Sequence, residues 1–472
     1  DSRKMGRGGD QVVSVLDEWN DKVKSWEVLA AEKGRTIEFE YWGKHELTQF
    51  LTIDDPLYAG RALYWLNEPV LGLDVFKSIT LKSKDSLGDR YTPESHIDLP
   101  VAENFDALGT SAKWWKKLKE KNGKLKDQHG QFSNKFGNKE AAALQEWFLE
   151  KEWVDSLESI SLKIINLIND SLKNRNFLQN LGQMKALCEE LLKHEGEIVQ
   201  DENGDITEIR RQFSGEFSVI QSLFYSYREF ARFLDSKLIK VAVIRAALLH
   251  GEAGIGKSHL LCDLSLRRID ENHPTVFLLG QHYEGGNPLD TLRSSLDLSK
   301  CTNAQVLGAL DAAGEAHKGR TLIIVDAINE GLHRDDWQNH IRAFLTEISK
   351  YPNISVLLSC RTSYLDYMIP ESADEDCLIR IQHFGFQGYE HRAAEKYMSK
   401  QGISKPSAPI LAPEFTNPLF LKTCCQALKE NEMTSFPKGM HGLTQLFEFF
   451  LESVEKTVAK RKRYNPSEQI IK

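Results

Sequence analysis

The chain has 472 residues, 41% of them apolar and 27% charged, and carries a formal net charge of -8. These values exclude a disordered or fibrous chain, and the length predicts about three domains. The acidic balance excludes whole-chain attraction to nucleic acid, so any such contact would have to be a local patch.

No run approaches the roughly 18 apolar residues that a membrane helix needs, and no signal peptide opens the chain. The expectation is a soluble, cytoplasmic protein without a membrane partner. The seven cysteines are scattered and contain no C-x-x-C pair. Buried thiols in a reducing compartment are therefore expected in place of a zinc site or a disulfide framework. The chain starts at Asp1 and stops at Lys472 beside a helix-like segment, so it reads as an internal fragment of a longer protein.

Val12, Leu16, Trp19, Val23, Trp26 and Ala30 recur at helical spacing, and Gly34 is placed to end that helix. Ile37, Phe39 and Tyr41 then alternate with Glu38 and Glu40 as in a half-buried strand. Glu38, Glu40 and Glu46 near Lys44 lack the D…E-x-K order of a metal-dependent nuclease, so they are read as a solvated face. His45 and His96 have no partner at ligand spacing and are read as ordinary hydrogen-bonded residues. Leu87 to Pro100 (LGDRYTPESHIDLP) is expected to be a turn entering a strand at Ile97 and Leu99. The run from Trp114 to Lys126 mixes aromatics with lysines; it is read as a solvated helix end leading into a Gly/Asn-rich stretch at Gly130 to Asn138. From Lys139 to about Ile239 the stripe is helical, interrupted at Glu197 to Glu208.

HGEAGIGKSH (His250 to His259) satisfies G-x-x-x-x-G-K-[ST] at Gly251, Gly256, Lys257 and Ser258, with Gly254 inside the loop. Such a loop lets successive backbone N–H groups converge on phosphate at the N-terminus of the following helix. Its context fits, because Ala246 to Leu249 is apolar and His259 to Arg268 has leucines at helical spacing. The predicted nucleotide-binding residues are Gly251, Glu252, Ala253, Gly254, Ile255, Gly256, Lys257, Ser258 and His259. Lys257 would reach the β/γ-phosphates and Ser258 the Mg²⁺.

Apolar runs at Thr275 to Leu279, Thr321 to Asp326, Ile354 to Ser359 and Leu378 to Ile381 alternate with helical stretches, which predicts a parallel sheet. Asp326, ending TLIIVD, would face Mg²⁺ through its water shell. Glu330 is placed to orient the attacking water, and Arg361 after the next strand could pair with the γ-phosphate or serve in a structural ion pair. Ala412 to Leu428 and Leu443 to Val458 read as lid helices, and the cluster Lys460 to Arg463 is read as complementing a helix C-terminus.

GEAGIGKS, TLIIVDAINEG, LLSCRTS and TNPLFLKTCCQAL together resemble the STAND class of signalling ATPases, which includes NACHT and plant-resistance-type switches. The resemblance implies that Pro418 lines the adenine pocket, although Asn417-Pro418-Leu419 keeps the Pro of the class motif and not its Gly. The class often has an acid where Asn329 stands. With EFEYWGKHEL and LGDRYTPESHIDLP, the chain also resembles the antiviral STAND proteins of bacteria, the AVAST-type phage-defence sensors. That likeness implies ATP and Mg²⁺ as ligands and a homo-oligomer such as a tetramer. It also implies a terminase- or portal-like phage trigger, met through a sensor absent from this chain, and nucleic acid contact only through an absent effector.

The expected fold is an α/β P-loop core, a parallel sheet flanked by helices. Residues 1–130 would form a small mixed α/β module and 131–240 a helical connector. Residues 241–400 would form the ATPase core, and 401–472 a helical lid with the start of a helical or winged-helix domain. The expected function is an ATP-hydrolysing switch. Two alternatives from other classes are an AAA-type motor acting on DNA and a nucleotide-dependent scaffold. No N-K-x-D guanine reader is present, which disfavours GTP.

Overall fold

A computed structural model describes residues 15–39, 41, 60–66, 71–136, 153–199, 213–370, 373, 376–404, 414–430, 432–435, 448 and 451. In chain order the helices before the first strand are α1 (Val15–Glu32), α2 (Arg61–Leu66), α3 (Leu73–Leu87), α4 (Ala102–Leu108), α5 (Ala112–Phe136), α6 (Trp153–Asn174), α7 (Leu181–Val199), α8 (Ser214–Leu234) and α9 (Lys237–Ile244). The core follows as β1 (Ala246–Gly251), α10 (Lys257–Asp270), β2 (Thr275–Leu279), α11 (Pro288–Ser295), α12 (Asn303–Ala316), β3 (Thr321–Asp326), α13 (Asp336–Ser349), β4 (Ile354–Arg361) and β5 (Ile379–Gln382). Helices α14 (Glu390–Lys400) and α15 (Pro418–Glu430) come last among these and pack together, the first in the stretch expected to be core and the second in the expected lid.

The five strands form one parallel sheet in the order β2-β3-β4-β1-β5. Their apolar runs are continuous because both faces are covered. Ala247, Leu249, Phe277, Ile324 and Leu357 face one layer, whereas Leu248, Val276, Ile323, Val356 and Leu358 face the other. Strand β4 lies between β1 and β3, so Arg361 at its end falls between the phosphate loop and Asp326. Clefts at the C-terminal ends of parallel strands are where such sheets bind ligands.

The layer over Leu249 and Phe277 is built partly from the N-terminal stretch. Helix α3 packs on β2 and α10, and α4 packs on α9. Leu87, Phe105 and Leu108 share one buried cluster with the sheet. Ser83 Oγ donates to Phe277 O (2.5 Å) and Ser355 Oγ to Leu108 O (2.8 Å). These contacts cross the boundary expected near residue 130.

Helices α5, α6, α7 and α8 pack in a closed four-helix arrangement around Trp114, Phe132, Ile164, Leu191, Leu223 and Tyr227. The helical reading of 139–239 agrees with the described part of that stretch, while most of the interruption at Glu197 to Glu208 lies outside the described residues.

Three local expectations differ. The alternation of Ile37, Phe39 and Tyr41 gives no strand; the rings of Phe39 and Tyr41 turn back onto Trp26 and Trp19 of α1 at 5.4 and 5.7 Å. Ile97 and Leu99 give none either, because they pack into the lid cluster and not beside another strand. The run from Trp114 to Lys126 is no solvated helix end. Helix α5 continues through Gly123 and Gly130 to Phe136, with Trp114 only 1% exposed.

Glu40, Lys44, His45 and Glu46 lie outside the described residues. So do the cluster Lys460 to Arg463 and, apart from Glu448 and Leu451, the expected helix Leu443 to Val458. Among the described residues no helix is long and apolar enough to cross a membrane, and no group of His, Cys, Asp and Glu could hold a metal on its own. None of the seven cysteines is in a disulfide.

Candidate nucleotide site

The phosphate loop joins β1 to α10, and two of its glycines have positive φ, Gly254 at 74° and Gly256 at 93°. Side chains other than glycine seldom adopt that conformation, and the surroundings add a second constraint. A Cβ on Gly254 would stand 2.9 Å from Leu419 Cδ2, and one on Gly251 would stand 2.7 Å from His383 O. The loop is thus gripped by β5's extension below and the lid above. Leu419 N donates to Gly254 O (3.2 Å), and Asn417 Oδ1 caps α15 by accepting from Leu419 N and Phe420 N. Pro418 follows as the first residue of α15, where its missing N–H costs nothing. It meets Gly256 from above.

Lys257 is buried, and its Nζ donates to Gly251 O (2.7 Å) and Glu252 O (2.9 Å). Burial lowers its pKa, with Asp326 opposing the shift. Ile255 turns aside to pack near Gly251 and Gly385, while Ala253 lines the cavity. His259 also lines the cavity. Its ring lies between Tyr91 (5.0 Å) and His96 (5.5 Å, stacked) and accepts from Thr92 N, with burial holding its pKa at about 4.

Asp326 is 1% exposed at the end of β3. Ser359 Oγ donates to its Oδ1 (2.5 Å) and accepts from Ala327 N (2.7 Å), while Ile328 N donates to Ser359 O (2.9 Å). Asn329, also buried, accepts from Arg361 N (3.0 Å) through Oδ1. Ends of β3 and β4 are thereby stitched together. Burial raises the Asp326 pKa, against the hydroxyls of Ser258 and Ser359.

Those residues fit a magnesium ion. Asp326 Oδ2 is buried without a hydrogen-bond partner, an arrangement that is costly unless a cation or ordered water completes it. Ser258 would supply the hydroxyl ligand and Asp326 the carboxylate.

Glu330 lies in the turn after β3, with Arg361 Nη2 at 3.0 Å from Oε1 and Arg90 Nη1 at 3.3 Å from Oε2. Arg361 therefore makes an ion pair, one of the two readings that its sequence position left open. Arg90 was not singled out at all. It lies on a strap, residues 88–99, made of two short 3-10 turns and an extended end.

A cavity of about 600 Å³ is lined by the charged side chains of Lys257, Asp326, Glu330, Arg361 and Arg90 and by the apolar ones of Ile97, Leu99, Phe386, Pro418 and Leu419, with Tyr397 beside them. Such a lining offers both the charge that a nucleotide's phosphates need and the apolar surface that its base needs. The strap contributes to both kinds of wall.

No protein-family model matches the chain. No curated protein matches it either. Among solved structures it is similar to a Walker-type ATPase of Pyrococcus abyssi. The two are 14% identical, the match covers 46% of this chain and 70% of the other, and the TM-score is 0.30.

Proposed function

We propose that the chain is an ATP-binding and hydrolysing switch of the STAND type, working in antiviral defence by coupling recognition of a phage protein to activation of an effector. The observation that carries the nucleotide reading is that Lys257, Ser258, Asp326 and Glu330 line one cavity together with the apolar Ile97, Leu99, Phe386 and Pro418. In this reading the β/γ-phosphates replace Gly251 O and Glu252 O as partners of Lys257 Nζ. The loop amides bind the phosphates at the N-terminus of α10. A magnesium ion held by Ser258 and, through its water shell, by Asp326 would neutralise charge on the phosphate oxygens. Glu330 accepts a hydrogen bond from the attacking water, and Arg361 stabilises charge on the transferred phosphoryl group. Pro418 and Leu419, standing over the loop, let the lid respond to occupancy.

The defence role rests on the motif resemblance. It supposes a terminase- or portal-like trigger bound by a sensor outside this chain and a homo-oligomer such as a tetramer. Nucleic acid would be met only by an effector that is also outside it. Lys257→Ala is expected to weaken ATP binding by about 100-fold or more, whereas Glu330→Gln should keep binding and slow turnover about 100- to 10,000-fold. If both variants bind and hydrolyse ATP like the parent, the assignment is wrong. Turnover strongly stimulated by DNA alone would favour a motor instead.

A further inference from the structure

Two guanidiniums meet on one carboxylate in the wall of the cavity. Arg361 comes from the end of β4, and Arg90 comes from a strap far earlier in the chain. Each takes a different oxygen of Glu330, so the trio carries one net positive charge, with Lys257 a further cation close by. Arg90 also donates to Gln281 Oε1 (3.4 Å), and its field reaches Asp326. At 43% exposure its side chain is not locked by packing.

Its backbone, in contrast, is held from three sides. On α10, Asp263 binds both strap neighbours, accepting from Tyr91 OH (3.3 Å) and pairing with His96 Nε2 (3.3 Å). On the lid, Lys422 Nζ donates to Asp89 O and Lys396 Nζ to His96 O. Helix α3 leads directly into the strap and is fixed to β2. An anchored backbone with a free guanidinium beside a carboxylate is suited to exchanging one anion for another.

We propose that Arg90 is a γ-phosphate ligand supplied in cis, through which the site distinguishes a nucleoside triphosphate from a diphosphate. This rests on the nucleotide reading above. The terminal phosphate, which like the carboxylate can present two oxygens to the planar guanidinium, takes over Arg90 from Glu330. That frees one oxygen of Glu330 for the attacking water. A diphosphate ends short of the guanidinium and leaves the pair with Glu330 intact. Because Lys422 holds the carbonyl of the preceding residue, the lid is tied to the strap segment that changes partner.

The test is calorimetric titration of the whole chain with Mg·AMP-PNP and with Mg·ADP, for the parent, Arg90→Ala, Arg90→Lys and Lys257→Ala. Arg90→Ala should weaken AMP-PNP about 10- to 100-fold, the value of a lost charged hydrogen bond, and change ADP less than about 2-fold. Arg90→Lys, which keeps the charge without the fork, should recover part of the AMP-PNP affinity. An unchanged AMP-PNP to ADP ratio in Arg90→Ala, or equal losses for both nucleotides, overturns the proposal. If Lys257→Ala binds both nucleotides like the parent, the site itself is misassigned; if it loses both while the Arg90→Ala ratio stays parental, only the role of Arg90 falls.

Discussion

Replacing Ser359 by Ala tests the geometry of the acidic end of the site with one hydroxyl. Ser359 is fully buried, donates to Asp326 Oδ1 at 2.5 Å and accepts from Ala327 N at 2.7 Å. Ala327 has a positive φ of 57°, a conformation that needs support from its surroundings. The backbone bond from Ile328 N to Ser359 O survives the substitution. A hydrogen bond to a charged group contributes about 1.5–3 kcal/mol and a neutral one about 1 kcal/mol, so Ser359→Ala should cost about 3 kcal/mol. Urea unfolding at neutral pH, followed by circular dichroism, should show a lower midpoint at unchanged slope. Turnover should fall too, because Asp326 loses one of the two hydroxyls that favour its ionised form. A loss below about 1 kcal/mol with parental turnover would refute the view that this hydroxyl fixes the turn bearing Glu330.

Two further outcomes follow from the same contacts. Burial holds His383 at about 4, below its ordinary value, so the folded protein keeps the ring neutral. Its contribution is therefore complete above about pH 6.5 and is lost as pH falls toward 4, by about 2 kcal/mol at pH 5. The midpoint of thermal unfolding should drop between pH 6.5 and 5, and His383→Gln should lack that part of the drop; an equal drop in the variant contradicts the assignment. At the loop, Gly254→Ala meets both a positive φ and Leu419 at 2.9 Å, an expected cost of about 1–2 kcal/mol from φ alone and about 10-fold or more in nucleotide affinity. Adding Leu419→Ala relieves the contact but not the φ, so titration should show partial recovery; parental affinity in Gly254→Ala would rule this out.

What the sequence made legible was local. The phosphate loop, the acidic end of β3 and the apolar strands are each encoded within a few neighbouring residues, and they fall where the pattern put them. Alternation at Ile37 to Tyr41 was a weaker guide, because a strand needs a partner and these rings found Trp19 and Trp26 instead. Read from sequence, the stretch from Gly130 lies beyond the end of a helix that already holds Gly123. Each glycine costs a helix about 1 kcal/mol, whereas burying Trp114, Leu118, Leu125 and Phe132 gains about 1.5–3 kcal/mol apiece, so the helix runs on. Ser359 stood two residues from the arginine that drew notice, but its role depends on a register with β3 that no single strand displays.

The strap is the part that linear reading could not supply. Tyr91 reaches Asp263 across 172 residues and Arg90 reaches Glu330 across 240, so no spacing rule connects them. Its composition still carried a trace: Gly88, Pro93 and Pro100 bracket polar and aromatic residues, which is more chemistry than a plain turn needs. The structure gives those residues a single physical role. Tyr91 and His96 fix the strap to the phosphate-loop helix, Ile97 and Leu99 bury its end in the lid, and Arg90 is left facing Glu330. A segment fixed to both core and lid cannot keep all its contacts if the lid moves as a body. Lid opening must therefore break the lysine contacts to Asp89 O and His96 O or draw the strap away from Asp263. On the proposed switch reading, either path would alter the reach of Arg90 and so couple the lid's position to the partners of Glu330.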